Sequence, residues 1–487
     1  MVNKEESFGN AGGIRPMVAR WIITGEMILE TAAHFGGEGE GLADMKILHD
    51  LSDGSPLLPG TSLAGALRSH LADVLGGYRS AEHGDVPKLF GAARKNDDDG
   101  AQSPLIVFDS LGKLLGGKEI EIRDGLAINP ETGTAKSHMK FDIEVLPAGT
   151  VFPVRVELIV EKIAEEADLL GLLTKAVSGL SNGDISLGMR RSRGLGSVKV
   201  RNWKAKRFDL INRDGWVSWL TSDHVNPIVN ETPYDSPVDA VQSTYPALRL
   251  EEPPDDKRER MVIELQLQLA GDLLVRSPGY DPAAPDAVHM NSADKPVLPG
   301  TSLAGAMRAQ TLRIAGCVRS SQGDSDEWIN RLFGPHIEKK QDSSSPQLSA
   351  SKLRVSENFI SGSKPRRQTR IAIDRFTGGV VSGALFDEEV QAGGKINVRL
   401  ELRQPTEAET GLFLLLLKDL LSGEIPIGGS GSVGRGVLKG TAKLFLGNGK
   451  QYDIGPDLKV EKEVMDVFNS YIKNFREYPL ITEEVPA

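Results

Sequence analysis

The sequence predicts an α+β protein built from two tandem copies of one domain, and three observations carry that prediction. Residues 58–68 read LPGTSLAGALR and residues 298–308 read LPGTSLAGAMR, so eleven letters recur with Leu67 against Met307 as the only difference. The two stretches start 240 residues apart, too far for a solenoid period and well suited to a whole domain. In each half, strand-type alternation precedes the motif and helix-type spacing follows it, which is the mixed pattern of an α+β fold.

Each half opens on a strand, Trp21 to Leu29 and Met261 to Leu269, where Ile263, Leu265, Leu267 and Leu269 share one face. A glycine-rich loop then leads to the turn signals Pro59-Gly60 and Pro299-Gly300. The hydroxyls of Thr61 and Ser62, and of Thr301 and Ser302, are suited to capping the helix that follows. Leu63, Leu67, Leu71 and Leu75 give that helix its apolar stripe in the first half, and Leu303, Met307 and Leu312 give it in the second. Further landmarks recur in the same order: LFG at 89–91 and 332–334, INPETG at 128–133 against IDRFTG at 373–378, and FDIEV at 141–145 against FDEEV at 386–390. VRVEL at 154–158 then faces VRLEL at 398–402, and ISLG at 185–188 faces IPIG at 425–428. The reading is a first domain over 15–221 and a second over 259–450. Residues 222–258, with six prolines among polar residues, read as a linker or extended arm, and 451–487 as a C-terminal tail with a short helix near 460–475.

Composition excludes several classes. A formal charge of −10 argues against a generally basic nucleic-acid coat while leaving local basic patches open. Cys317 is the only cysteine, which rules out an intramolecular disulfide and any multi-cysteine zinc site. No apolar run is long enough to span a bilayer and the first residues lack a signal-peptide pattern, so no membrane partner and a cytoplasmic location are expected.

The repeated motif places unpaired N–H groups at a positive helix end, a setting that suits phosphate, with Arg68 and Arg308 about two turns further on. It lacks the glycine-lysine-serine/threonine core of a P-loop, so nucleotide hydrolysis is not indicated. A second glycine cluster ends each copy, with Gly194-x-Gly196 matching Gly434-x-Gly436. Residues 429–434 satisfy GxGxxG, but Val437 to Leu446 alternates like a strand where a dinucleotide site needs a helix. Arg190, Arg191, Arg193 and Arg435 in these clusters suit a loop lying against a phosphate backbone.

Taken together, the acidic loop after the first strand, the PGTSLxGxxR motif, the LFG step and the late glycine loop resemble the RAMP superfamily. The specific likeness is to backbone subunits of type III CRISPR effector complexes, and two copies in one chain resemble the fused double-backbone subunit of type III-D-like systems. The resemblance implies a ferredoxin-like or RNA-recognition-motif core in each copy, with an inserted β-hairpin thumb over Glu121 to Thr150 and over Gln368 to Lys395. It implies guide RNA and target RNA as ligands, other effector subunits as partners, and an antiviral role. The RNA-binding candidates are then Ser62, Ser302, Arg68, Arg308, Arg190, Arg191, Arg193, Gly194, Gly196, Gly434, Arg435 and Gly436 in the motif and loops. In and near the thumbs they are Lys136, Lys140, Arg366, Arg367 and Arg370, with His138 adding to the basic character of the first.

Family members that cleave target RNA use an aspartate in the loop before the PG motif. The matching residue is Asp44 in the first copy; Asp286, with Asp281 nearby, is its nearest equivalent in the second. Such a carboxylate can hold a divalent cation, Mg2+ or Mn2+, against the scissile phosphate, with Asp44 as the metal contact, or orient the 2′-hydroxyl for in-line attack. His34, His49 and His289 are acid–base candidates. Two readings stay open, a metal-dependent endoribonuclease active in at least the first copy and a non-catalytic RNA-binding scaffold.

Overall fold

The structure is a computed structural model that describes residues 15–37, 43–92, 102–129, 132–137, 139–226, 228, 231–250, 255–278, 284–319, 322–335, 349–447 and 449–478. His138 and Asp281 lie outside the described residues. The chain forms two compact units: Met1–Ile122, Asp142–Met189 and Gly196–Arg258 make the first, and Arg123–Phe141, Arg190–Leu195 and Glu259–Ala487 make the second.

The first unit runs from β1 (Ala19–Leu29) to α1 (Gly60–Gly76) and β2 (Leu105–Val107). The chain then makes a two-stranded ribbon, β3 (Glu121–Gly125) with β4 (Phe141–Val145), and continues through β5 (Val151–Val160), α2 (Glu166–Ser181) and β6 (Val198–Asp209). The main sheet is antiparallel with order β6-β1-β5-β2, and Ile23 sits opposite both Ala205 and Val156. Trp21, Ile23, Met27 and Leu29 face the core and are at most 1% exposed. Gly25 completes their row because a Cβ there would meet Val200 and the Trp203 ring, at 2.7 and 3.0 Å. Leu63, Leu67, Leu71 and Leu75 of α1 are buried in the same cluster, as the spacing predicts.

Helix α3 (Arg213–Thr221) covers the other sheet face, where Ile22, Phe208, Leu210 and Trp219 pack together. The predicted linker is in part a packed element of the first unit. Helix α4 (Pro237–Thr244), capped by Ser236, buries Ala240 and Val241 in the core, and Tyr234 pairs backbone with Trp203. Proline density signalled a break in periodicity without revealing the short amphipathic turn inside it.

The second unit repeats the plan with β7 (Arg260–Leu269), α5 (Gly300–Arg319), α6 (Gln322–Phe333), β8 (Leu353–Val355), a long hairpin of β9 (Lys364–Ile373) and β10 (Val380–Ala392), then β11 (Lys395–Arg403), α7 (Glu407–Ser422) and β12 (Leu438–Phe445). Its sheet order is β8-β11-β7-β12, the order of the first unit read from the other edge. A Thr406–Glu409 capping box starts α7. The predicted tail extends this unit: β13 (Gln451–Ile454) pairs with β12, and Phe468 and Phe475 of α8 (Lys462–Arg476) enter the core. Leu67 and Met307 are both fully buried, so the single difference in the repeated motif conserves core volume.

Candidate nucleic-acid interface

The duplication extends to individual hydrogen bonds. Ser103 Oγ donates to the carbonyls of Leu89 and Leu105, and Ser351 Oγ donates to those of Leu332 and Leu353. In the late loops Leu187 N–H bonds Gly196 and Ile427 N–H bonds Gly436. A Cβ on Gly196 or Gly436 would lie 1.8 or 1.9 Å from the Leu187 or Ile427 carbonyl oxygen. These two glycines, predicted as RNA contacts, instead close the base of each loop. Arg190 and Ser430 occupy the same left-handed position, with φ of 56° and 63°.

The two candidate catalytic aspartates fall at equivalent places. Asp44 Oδ2 accepts the backbone N–H of Asp142 at 2.9 Å in the first unit, and Asp286 Oδ2 accepts that of Asp387 at 3.0 Å in the second. Both aspartates are exposed. Asp142 and Asp387 are the second letters of FDIEV and FDEEV, and each acid is tied to the returning strand of an inserted ribbon or hairpin, near the start of β4 in the first copy and midway along β10 in the second. The Asp387 carboxylate is itself held by Arg367, which keeps its pKa below the usual range, and it accepts from Thr369. Asp142 and Asp387 were not singled out from the sequence, although the repeated Phe-Asp pair was the signal.

The histidines do not join these acids as helpers. His289 is 2% exposed and uses both ring nitrogens, one on Val297 O at 2.9 Å and one on Val275 N–H at 3.2 Å. Burial pushes it down to about 4, so it is a neutral core residue. His34 is also buried, against Glu144 O at 2.8 Å, and His49 bonds Gly54 O within its own turn.

The predicted basic groups divide into paired and unpaired sets. Arg68 makes a two-pronged contact with Glu82, at 2.7 and 2.8 Å. Arg366 pairs with Asp272, Arg367 with Asp387, Arg370 with Glu388 at 3.9 Å and Lys140 with Asp124 at 3.2 Å. These pairs are exposed enough for a phosphate to compete. Arg435 is a correction: it is 3% exposed, bonded to Glu388 and Gln368, and so is an internal strut that no phosphate reaches in this conformation. Burial opposes the Glu388 charge, but Arg435, Arg276 and Arg370 together hold its pKa below normal. Position 195, which matches 435, carries a buried leucine, and that comparison was the available warning. Lys136 is half-buried with its N–H on Ala127 O, and Arg191 is exposed.

Arg190, Arg193 and Arg308 are different. With Ser192, Thr301, Ala304 and Gly305 they line a cavity of about 390 Å³ in the second unit, at the first turns of α5. Arg193 donates to Phe333 O, Arg308 to Gly334 O at 3.0 Å, and Arg190 lies 4.5 Å over the Phe141 ring. Among the described residues none of the three is within ion-pair distance of a carboxylate. Burial lowers the pKa of all three; for Arg193 the charges of Arg308 and Arg190 add to it and take the value to about 10. Thr61 and Ser62, predicted to cap, sit inside α1, which starts at Gly60 without a side-chain cap from its own N-cap residue. The Gly60 N–H is instead bound by Asp109 Oδ1 at 2.6 Å. Ser62 is exposed and Ser302 half-buried. Gly194 packs against the Ser356–Glu357 backbone, whereas the Gly434 position opens to free space.

An antiparallel α+β core written twice, a carboxylate held on the returning strand of each insertion and an arginine-lined cavity make up the candidate site. The RAMP superfamily model matches residues 26–199 and 287–439, one stretch in each half and more than half of the chain, and the protein belongs to that family. Its class is accordingly that of a CRISPR-associated RNA-binding subunit, present as a tandem repeat. No curated protein matches the chain. Among the described residues no helix is long and apolar enough to cross a membrane.

Proposed function

We propose that the chain is a guide-RNA-binding backbone subunit of a type III CRISPR effector, of the fused III-D-like kind, that cleaves target RNA at one or both of its repeats. The strand order and the helix after each first strand support ferredoxin-like cores, and the two inserted hairpins support thumbs. The observation that carries cleavage is the equivalence of Asp44 and Asp286. Two loops of different length and sequence deliver one exposed carboxylate each to the equivalent backbone amide on the returning strand, that of Asp142 or Asp387.

Among the described residues the second oxygen of each carboxylate has no protein partner. It is available to take the 2′-hydroxyl proton as that oxygen attacks the adjacent phosphorus and the 5′-oxygen leaves. The backbone amide fixes the carboxylate orientation. No group of three His, Cys, Asp or Glu side chains gathers among the described residues. This donor set fits a Mg2+ or Mn2+ ion brought with the RNA phosphates and touched by Asp44, and does not fit a resident ion held by protein alone. Such an ion would neutralise charge on the scissile phosphate.

The test is target-RNA cleavage by the assembled complex. Asp44→Ala is expected to remove one product and leave guide binding intact, and Asp286→Ala to remove another if the second repeat is active. If both variants, and their combination, cut as the parent does, the chain is a scaffold.

A further inference from the structure

The two copies of LPGTSLAGA are identical in sequence and differ in what stands at their helix starts. We propose that the chain carries one phosphodiester clamp where its duplicated motif implies two: Arg190, Arg193 and Arg308 grip an RNA phosphate at the start of α5, and the matching place on α1 is closed by the protein's own acids. The inference rests on the RNA-binding reading above and deepens it.

The matched hydrogen bonds of Ser103 and Ser351 fix the correspondence between the copies. A Cβ on Gly60 would meet the Val107 carbonyl oxygen at 2.3 Å, and one on Gly300 would meet Val355 O at 2.7 Å, so Val355 takes the place of Val107. Two residues further on, Asp109 therefore corresponds to Glu357. Asp109 binds the Gly60 N–H at 2.6 Å, so the first helix start already holds an anion. Arg68, the arginine that would accompany a phosphate there, is forked onto Glu82. Incoming phosphate meets a carboxylate at each step.

In the second unit Glu357 is turned away from the helix start. Arg123 holds both its oxygens, at 2.6 and 3.1 Å, and the two side chains are each 5% exposed. With its acid removed, the start of α5 faces three guanidinium groups and the Ser192 and Thr301 hydroxyls. Arg193, whose charge is opposed by Arg190 and Arg308, and its two partly desolvated neighbours form a site that a polyanion completes, with Asp326 acting on Arg308 from beyond ion-pair distance. The first loop supplies Arg190, Arg191 and Arg193, while its counterpart at 430–433 reads Ser-Gly-Ser-Val, so the second loop brings no second set of arginines.

The experiment measures binding of a fluorescein-labelled single-stranded RNA to the full chain across a salt series, with a thermal melt for every variant. Arg193→Ala and Arg308→Ala are each expected to weaken binding about tenfold or more and to lower the salt slope by about 0.7 per lost contact. Arg308→Lys keeps the charge and the packing and should fall between parent and Arg308→Ala, which separates loss of the fork from loss of folding. Arg68→Ala should stay within about twofold. A paired Asp109→Asn and Glu82→Gln variant should bind more tightly with a steeper slope, because it opens the first helix start. Equal losses from Arg68→Ala and Arg308→Ala, or no loss from Arg193→Ala and Arg308→Ala, overturn the single-clamp inference while leaving RNA binding in place. A parent chain with no RNA affinity overturns the functional reading and this inference with it.

Discussion

His289 shows how a residue suited to catalysis on paper becomes structural. Its imidazole accepts one backbone amide, donates to one carbonyl, and is held neutral by burial with a pKa near 4 against the ordinary 6.5. The unfolded chain takes up a proton below about pH 6.5 and the folded chain resists it until about pH 4. Stability from this site is therefore full above pH 6.5 and is lost as pH falls towards 4, by about 3 kcal/mol at the lower limit. Melting midpoints measured across that range should drop, and His289→Gln should flatten the drop. The equivalence of Asp44 and Asp286 was legible because both are loop aspartates shortly before a repeated motif, 15 and 13 residues ahead of its proline. Arg435 could not be separated from Arg193 in that way, since its burial depends on Glu388, which lies 47 residues away. The Asp109 and Glu357 contrast was hidden for the same reason: it turns on Arg123, 234 residues from its partner.

Among the elements, the strands and first helices were readable because one face of each is buried and its period survives in the letters. Helix α4 and strand β13 were not, because each is short and gains its stability from packing on a neighbour more than from its own pattern, whereas α8 was read near 460–475. The matched helices make a quantitative comparison possible. Leu67→Ala and Met307→Ala remove fully buried side chains from equivalent places and should each destabilise the protein by about 2–5 kcal/mol in denaturant titration. If one costs far more than the other, the two cores are not packed alike at the repeated motif. The hairpin of β9 and β10 belongs to a different category. Ile373, Phe376, Val380 and Leu385 are 62–82% exposed near its end and form an apolar patch left open among the described residues. On the thumb reading this patch works against bases, so Phe376→Ser should leave the melting midpoint unchanged and lower target cleavage. A raised melting midpoint with unchanged cleavage would mark the patch as a mere solubility liability.

For the whole molecule, the proposed cleavage takes its form from the duplication. Asp44 is held by the Asp142 amide and Asp286 by the Asp387 amide, so on that proposal each candidate site sits on the returning strand of one insertion. A hairpin that displaces a base from a guide–target duplex frees the adjacent phosphate from helical geometry, and its 2′-hydroxyl can then swing in line. Two such sites in one covalent chain must cut at two positions whose separation is a property of the protein, so shifting the target sequence under a fixed guide register should move neither cut. Denaturing gels of end-labelled target should show two products whose spacing is the same for unrelated guides. Asp44→Ala should erase one band without shifting the other, and Asp286→Ala should erase the remaining band where the second repeat is active. Spacing that varied with base composition would mean that cleavage follows the local looseness of the duplex, and the pairing of one carboxylate with one hairpin would then have no part in choosing the site.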